Sequence, residues 1–152
     1  PRLMLTLRLY RARILLLVIG DPERTAGLGD EASRLAHDAG KAGMAALRVA
    51  ALAIAAQVRL HEGDVEMALA SSTQAMTGRD ELRSIEEDEA EVFLAHARAL
   101  AAAGREEQSQ EVIRRGVERL HYIAQRIGDE AMRERFLNEV PAHRALLTSL
   151  AD

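Results

Sequence analysis

A glycine recurs along this chain in the same setting at three places. Gly20, Gly63 and Gly104 stand 43 and 41 residues apart. Each glycine follows a long apolar stretch and precedes a charged turn and then a second amphipathic stretch. Self-similarity at a period of this length is the signature of stacked helical hairpins, in which each hairpin buries the apolar flank of its neighbour. The spacing therefore predicts helix pairs that are each hinged at a glycine.

One stretch of the chain, Ile14–Ala32, also allows a different interpretation. Its segment Gly27–Ala32 fits G-x-G-x-x-A, a pattern that binds a dinucleotide pyrophosphate where a buried strand joins a helix. The equivalent stretches of the later copies, Ala50–Leu60 and Glu89–Ala103, are rich in Ala and apolar at three- and four-residue spacing, which is typical of helices. By correspondence of position the first copy is a helix as well. We therefore predict no dinucleotide site and no cofactor, and interpret both glycines of the pattern as close-packing positions on a helix.

Composition favours the same fold. The chain has 152 residues, of which 48% are hydrophobic but only 3% aromatic. Its apolar mass consists mainly of Ala and Leu, which favour helices over strands. This length suits one domain. Because the chain begins with Pro1 rather than Met, we interpret it as a piece of a longer protein.

Charge and cysteine content narrow the classes of partner. The net charge of −4 argues against direct binding of nucleic acid. The absence of Cys excludes disulfides and thiolate metal sites, and favours a cytoplasmic location. The uninterrupted apolar run Ile14–Ile19 is far shorter than the roughly 20 residues of a membrane span. We therefore expect no membrane association and no metal.

The pattern predicts an α-α superhelix of about three antiparallel helix pairs and a short C-terminal cap, forming one helical-repeat domain over 1–152. The predicted helices are 2–19 and 22–38, 44–61 and 65–77, 81–103 and 105–127, a short helix 130–139, and a last turn or two over 142–150. The units are thus about 2–39, 44–78 and 81–127, with a cap at about 129–151. Gly20 is predicted to be a C-terminal cap with positive φ. Asp21 is predicted as the next N-cap and Pro22 as the first helical residue.

The second copy, LHEGDVEMALASSTQAM, resembles a tetratricopeptide unit. That motif has a glycine turn, a small residue five positions later and another small residue seven positions beyond, which let neighbouring helices approach closely. The residues at those two positions are Thr25 and Ala32 in the first copy, Ala68 and Ala75 in the second, and Ser109 and Gly116 in the third.

The repeat in this chain resembles a longer variant of the tetratricopeptide motif. Its Trp and its closing Pro are missing, and the period exceeds the usual value of about 34 residues. The chain is similar to the longer-helix repeats in the C-terminal parts of large bacterial regulators of the maltose-regulator (LuxR-like) type, and of related multidomain ATPases, cyclases and kinases. The segment Arg133–Ala151 is similar to the end of such arrays.

The resemblance implies a concave face lined by the first helix of each pair. The candidates carried over by position are Tyr10, Ile14 and Leu17 in the first copy, Ala53, Gln57, Leu60 and His61 in the second, and Glu91, Leu94 and Arg98 in the third. This mostly apolar surface is expected to suit an amphipathic helix or short peptide, whose register its polar members would fix. The alternative is that its apolar members only pack against adjacent helices.

These features predict a non-catalytic module that binds proteins or peptides within a larger bacterial transcriptional regulator or signalling protein. One alternative is a domain that senses a small-molecule inducer, with a polar pocket around Gln57, His61 and Arg98. Another alternative is a passive spacer or oligomerisation element. The expected partners are other domains of the parent chain or a partner helix.

No arrangement of residues indicates catalysis. The five histidines include no i, i+4 pair of the kind that helical zinc sites use, and His96 is interpreted as packed and hydrogen-bonded. The acidic run Ser84–Val92 is interpreted as a solvated helix start, with Ser84 and Glu87 forming a capping box; the alternative is a site for a cation or a basic partner. The arginines of Val112–Leu120 are expected to pair with interleaved glutamates.

The first helix carries two apolar stripes, which indicates burial on both sides. One stripe is Leu3, Leu7, Tyr10, Ile14 and Leu17, and the other is Leu5, Leu9, Ala12, Leu16 and Ile19. Only one following neighbour is available within this chain to cover them. An uncovered apolar stripe tends to find a partner. We therefore predict a homo-oligomer that forms through the first helix.

Overall fold

The computed structural model describes residues 1–83, 85 and 88–150, and it confirms the all-α prediction. No strand occurs within these residues. The helices of this part of the chain are α1 (Arg2–Leu16), α2 (Pro22–Thr25), α3 (Leu28–Lys41), α4 (Ala45–His61), α5 (Val65–Leu82), α6 (Glu89–Ala102), α7 (Glu106–Ala124), α8 (Glu130–Asn138) and α9 (Pro141–Ser149).

The helices pack in a regular order. Helix α4 contacts α1, α3, α5 and α6, while α6 contacts α5, α7 and α9 as well. Helices α1, α4 and α6 therefore follow one another in contact, each beside its own following helix. Helix α9 packs on both α6 and α7, as the first helix of a further pair would. This arrangement is compatible with a helical repeat.

Helix α4 is buried on nearly all sides. Its Ala-rich sequence explains why four neighbours can approach it, since Ala side chains keep the helix thin. Ala51, Ala55 and Ala56 have no exposed surface, and Val49 and Val58 are almost completely buried. A helix that is apolar all round belongs in a core.

Three turns share one geometry. Gly43, Gly63 and Gly104 have φ values of 68°, 80° and 74°, in the left-handed region where a side chain is strained. In each turn the N–H after the glycine donates to the carbonyl five residues back: Met44 to Ala39, Asp64 to Arg59 and Arg105 to Leu100, each at 2.9 Å. This is the Schellman ending of a helix, which satisfies carbonyls that the helix leaves unpaired.

The turn at Gly20 is different, and the prediction of a positive φ there was wrong. Helix α1 ends at Leu16, three residues before the predicted end. The N–H groups of Leu17 and Val18 donate to carbonyls only three residues back, both at 3.1 Å. Such tight turns end the helix without a left-handed residue. The chain thus repeats its glycine turn at 43, 63 and 104 rather than at 20, 63 and 104.

The second helix of the first unit is interrupted. Asp21 and Pro22 start a helix as predicted, and the Asp21 carboxylate accepts from the N–H groups of Glu23 and Arg24. This helix, α2, covers only four residues, because Gly27 at φ 72° breaks the chain direction before α3. Gly27 is therefore a hinge, which corrects its interpretation as a packing position. The strand that a dinucleotide site requires is replaced by α1 and these turns.

Gly29, in contrast, is a close-packing position as predicted. It is buried in the first turn of α3. A methyl group placed there would lie 3.1 Å from Cζ of Arg59, whose guanidinium crosses the helix at this point. The absence of a side chain at Gly29 lets α4 lay Arg59 against α3.

The boundary between the second and third units also differs from the prediction. Helix α5 does not stop before Gly78 but continues to Leu82. Gly78 is buried, and a methyl group there would lie 2.7 Å from Cγ2 of Val49, so this glycine serves close packing. Helix α6 begins at Glu89 instead of 81, and its N-cap is Asp88. The predicted capping box of Ser84 and Glu87 lies outside the described residues.

The small residues of the repeat motif lie where helices cross. Each of the six positions is buried: Thr25, Ala32, Ala68, Ala75, Ser109 and Gly116. A methyl group at Gly116 would approach Phe93 Cγ and Leu146 Cδ2 to 3.1 Å. The Ser109 hydroxyl donates to the Ala97 carbonyl at 2.8 Å, which satisfies a buried polar group. Small size at these positions lets the helices approach closely, as predicted.

The C-terminal helices α8 and α9 pack against each other and against α7. Helix α7 ends at Ala124, ahead of the predicted stop at Gly128. The Asp129 carboxylate caps α8 by accepting from the Met132 N–H at 2.7 Å, and α9 begins at Pro141. Leu146 of α9 is fully buried. Within the described part of the chain, no helix combines the length and apolarity needed to cross a membrane.

Candidate interaction surface

Helix α1 is attached to the rest of the protein by one face. Leu5, Leu9 and Ala12 of its second predicted stripe are buried against the neighbouring helices. The arginines that interrupt the apolar sequence supply ion pairs beside this face. Arg8 contacts Asp38 at 2.8 Å, and this guanidinium lowers the pKa of the Asp38 carboxyl through its hydrogen bond and charge.

Two further arginines of α1 extend this attachment. Arg11 contacts Glu31 of α3 at 2.6 Å. Arg13 pairs with Asp88, directly before α6. The charged residues of α1 thus connect it to the first turn of α3 and to the beginning of α6. They explain how a helix of such apolar sequence keeps a single orientation on the core.

The other predicted stripe of α1 is exposed. Its five members are between 47% and 84% exposed: Leu3, Leu7, Tyr10, Ile14 and Leu17. Met4 and Val18 beside them are exposed as well. Within this chain one stripe is therefore left uncovered, as expected, because α3 and α4 pack on only one face of α1. We call these five residues the α1 stripe.

A groove opens where α1, α4 and α6 meet. It encloses about 220 Å³. Its apolar walls are Ile14, Leu16 and Leu17 from the C-terminal end of α1 and Ala50, Ala53 and Ile54 from α4. The remaining lining residues are polar: Arg13, Gln57, Asp88 and Glu91. We call this site the α1–α4–α6 groove.

The polar residues of the groove are not all satisfied within the protein. Arg13 and Asp88 form an ion pair with each other. Gln57 and Glu91 are half-buried, and neither side chain forms a hydrogen bond or ion pair with another described residue. Removing a carboxylate from water without a partner is unfavourable. The groove therefore presents an amide and an unpaired negative charge next to apolar walls.

The structure brings five of the ten concave-face candidates together in this groove: Ile14, Leu17, Ala53, Gln57 and Glu91. The other five lie outside its lining: Tyr10 is on the α1 stripe, Leu60 is half-buried, His61 and Arg98 are exposed, and Leu94 is buried in the core. Gln57 therefore lines the groove without His61 and Arg98, the two residues expected to form a polar pocket with it.

No local pattern in the sequence indicated that Asp88 belongs to this surface. Because the third unit was predicted to begin at 81, Asp88 fell inside a helix rather than at its start. The only available signal was Arg13, a charge within an apolar stretch that needs an acidic partner. Nothing in the local pattern identifies that partner, since Asp88 lies 75 positions further along the chain.

His96 lies away from the groove and is packed as predicted. Its Nδ1 is 3.0 Å from the hydroxyl of the fully buried Ser72, which itself donates to the Leu69 carbonyl. Burial lowers the pKa of His96, the Arg115 charge lowers it further, and Asp80 opposes them. This pair fixes α6 against α5.

The arginines of α7 form ion pairs, but only one of the three pairs with an interleaved glutamate of its own helix, as predicted. Arg114 contacts Glu111 on its own helix. Arg119 contacts Glu89 at 3.0 Å, and Arg115 contacts Asp80 at 2.9 Å. Arg79 of α5 contacts both acidic residues, Glu89 and Asp80. An alternating chain of charges therefore connects α5, α6 and α7.

The described residues contain no group of three or more His, Asp and Glu side chains placed to hold a metal ion. Their polar side chains serve mainly to cap helices and to join neighbouring helices. The α1 stripe and the α1–α4–α6 groove both offer apolar surface to a partner. Searches against protein-family models, curated proteins and solved structures found no match to the chain.

Proposed function

We propose that the protein is a tetratricopeptide-like interaction module of a larger bacterial transcriptional regulator or signalling protein. Its α1–α4–α6 groove binds an amphipathic helix or short peptide of a partner protein. The observation that carries this proposal is the meeting of Ile14, Leu17, Gln57 and Glu91 around an apolar floor. All four are positions that the repeat pattern assigns to the concave face.

The form of the groove favours a helical occupant. Its walls come from three helices, and its volume of about 220 Å³ accepts a few apolar side chains rather than a whole ligand of drug size, for which pockets of roughly 300–1,000 Å³ are usual. An amphipathic helix offers side chains at i, i+3, i+4 and i+7 to such a groove. The apolar contacts supply affinity, and the polar points supply register.

The charge of the groove favours a basic partner. Arg13 and Asp88 neutralise each other, so the unpaired carboxylate of Glu91 gives the groove a net negative charge. A Lys or Arg beside the apolar residues of the partner would pair with Glu91, and Gln57 would bind a neighbouring polar group. Hydrogen bonds to charged groups contribute more than neutral ones. The occupant is therefore an apolar helix face with an adjacent cation.

Synthetic peptides test this proposal. One helical peptide carries leucines at i, i+3, i+4 and i+7 with one lysine beside them; a second has glutamate in place of that lysine, and a third has the first sequence scrambled. Fluorescence anisotropy measures their binding. The lysine peptide is expected to bind at least about tenfold more tightly than the glutamate peptide, because the charge-assisted pair is lost and replaced by repulsion.

A charge reversal in the protein makes the test specific to the groove. Glu91→Lys is expected to invert the preference, so that the glutamate peptide binds better. Glu118→Lys is the matched control, because Glu118 is an exposed carboxylate on α7 outside the groove lining. Equal binding of all three peptides, or an unchanged preference in Glu91→Lys, would contradict the proposal.

The inducer-sensing alternative has less support. Gln57 lines the groove, but His61 and Arg98 lie outside its lining, so the three polar residues do not frame one site there. A thermal-shift screen with small metabolites distinguishes the two functions. A large rise in melting temperature with a small molecule would favour sensing, because a ligand that binds only the native state stabilises it.

A further inference from the structure

The α1 stripe extends well beyond the groove. Leu3, Leu7 and Tyr10 are exposed and do not line the groove. We infer that a second copy of the chain covers this stripe, and that the two α1 helices pack antiparallel about a two-fold axis at Tyr10. This inference goes beyond the peptide-binding proposal and does not depend on it, but Ile14 and Leu17 belong to both surfaces, so a second copy and a bound peptide compete for these two side chains.

The spacing of the stripe is that of a two-helix seam. Its members follow one another at steps of four, three, four and three residues, from Leu3 to Leu17. That alternation is the heptad pattern by which one helix packs along another. Leu17 follows the last residue of α1 with φ −66° and ψ −21°, so it continues the helical course of the stripe.

The order of residues in the stripe points to a second copy rather than to an unrelated helix. The stripe has the same order of residue types in both directions from Tyr10: Leu3 and Leu17 each lie seven residues from it, and Leu7 and Ile14 lie three and four residues from it. A two-fold interface must be self-complementary, because each copy presents the same patch to the other. Antiparallel packing of α1 against α1 places an aliphatic side chain opposite an aliphatic side chain along the seam and pairs the two tyrosines at its centre.

The charges beside the stripe allow two copies to approach. The arginines closest to its centre are Arg8, Arg11 and Arg13, and each pairs with an acidic residue of its own chain. Two α1 helices would thus meet without bringing unneutralised arginines together. Arg13 also lies over the Tyr10 ring, with Cζ 5.1 Å from the ring centre, which fixes the ring at the proposed axis.

Sedimentation of the purified chain over a range of concentrations tests the inference. A monomer–dimer equilibrium is expected for the unmodified protein. Tyr10→Glu brings two like charges together at the axis and is expected to weaken the dimer by about 100-fold or more. Mixing Tyr10→Glu with Tyr10→Lys is expected to restore dimers, because the paired charges are then opposite. A monomer at every concentration would overturn the inference and leave the groove proposal standing.

A matched control separates the stripe from general surface effects. Tyr122 of α7 is 49% exposed, close to the 47% of Tyr10. Tyr122→Glu is expected to leave the dimer unchanged. Circular dichroism verifies that each variant keeps its helices, as an exposed substitution should. A dimer that Tyr122→Glu disrupts, or that Tyr10→Glu leaves intact, would show that α1 is not the interface.

Cysteine cross-linking tests the orientation. The chain has no Cys, so an introduced Cys has no competitor. Antiparallel packing predicts that a mixture of Leu3→Cys and Leu17→Cys chains forms a mixed disulfide dimer under mild oxidation, and that neither variant cross-links efficiently alone. Efficient self-cross-linking of Leu3→Cys would instead show parallel packing and overturn the two-fold arrangement. Cross-linking tests only the dimer, and peptide binding to the Glu91→Lys variant tests only the groove. Either proposal can therefore be contradicted without the other.

Discussion

Helices α1 and α4 are both apolar and both stand first in their pairs, yet the structure uses them differently. Helix α4 contacts α1, α3, α5 and α6, and little of it reaches solvent. Helix α1 is held by one apolar face and by arginine pairs, and its other apolar face is open. The difference shows that an apolar sequence favours burial of a helix, while the number of neighbouring helices determines how much of its surface is buried.

Removing equivalent core leucines gives the largest expected contrast. Leu9 of α1 and Leu52 of α4 stand eleven residues before their glycines and are both 6% exposed. Leu52→Ala is expected to lower the free energy of unfolding by about 3–5 kcal/mol and Leu9→Ala by about 2–3 kcal/mol, because the surroundings of α1 can collapse into the cavity more easily. Urea unfolding measures both. A larger loss at Leu9 would contradict the comparison.

The loss of an ion pair from each of these two regions is expected to have the next largest effect on stability. Glu89 is buried, and its carboxylate accepts from Arg79 and Arg119, whereas the Arg11–Glu31 pair of α1 is largely exposed. Glu89→Gln is expected to cost about 2–3 kcal/mol, because the buried acceptor of two guanidinium hydrogen bonds loses its charge. Arg11→Gln is expected to cost less than about 1 kcal/mol.

Salt dependence distinguishes the exposed ion pair from the buried one. Added salt is expected to reduce the cost of Arg11→Gln and to leave that of Glu89→Gln nearly unchanged, since exposed pairs are screened more strongly than buried ones. Urea unfolding at low and high ionic strength provides the measurement. Equal salt dependence of the two variants would show that the α1 pair is as protected from solvent as the pair in the core.

The glycines that follow the two helices should respond in opposite directions. Gly63 has φ 80°, so Gly63→Ala is expected to destabilise the protein by about 1–2 kcal/mol. Gly20 has no positive φ, and a methyl group there would meet no atom within 4 Å. Gly20→Ala is therefore expected to be neutral or stabilising by up to about 1 kcal/mol, because it restricts the unfolded chain. Thermal unfolding checks both signs.

The smallest expected effect is on the pH dependence of stability, to which His96 contributes in the interior and Asp38 contributes beside α1. Since the pKa of His96 is lowered in the folded protein, the unfolded state binds its proton more readily. The contribution of His96 to the free energy of unfolding is fully present above its ordinary pKa of about 6.5. This contribution is lost as the pH falls through the lowered pKa that His96 has in the folded protein. The Asp38 contribution has the same sign but is lost only as the pH falls from about 4, because its lowered pKa lies below that value.

Urea midpoints measure these two steps. The unmodified protein is expected to lose stability between pH 7 and pH 5.5, and the loss is expected to shrink in His96→Gln. Asp38→Asn is the matched variant on the α1 side and should leave this interval unchanged. A full loss between pH 7 and pH 5.5 in His96→Gln would assign the titration to another group.

Part of the fold follows from local patterns. The turns at Gly63 and Gly104, the cap at Asp21 with Pro22, and the small residue Ala75 were predicted because each depends on residues close in sequence. The ends of α1 and α5 were not. Gly78 was interpreted as a helix stop, but the opposing Val49 makes it a packing position inside a helix. Local sequence cannot distinguish these two uses of glycine.

The candidate site shows the same division. The resemblance to tetratricopeptide-like repeats implied by position that Ile14, Leu17, Gln57 and Glu91 share one face, and these four residues line the groove. It also placed Leu94 on that face, whereas the neighbouring helices bury this residue. The position of Asp88 beside Arg13 depends on where α5 ends and α6 begins, which the repeat pattern misplaced.

The sequence by itself determined that this protein is all-α, that glycine turns separate most of its long helices, and that its first helix carries two apolar stripes. Those properties follow from side-chain size and backbone freedom, which act over a few residues. Only the tertiary structure decided which stripe is covered and which residues share the groove. Burial depends on the helices that arrive from elsewhere in the chain, and here those helices reach α1 from one side alone.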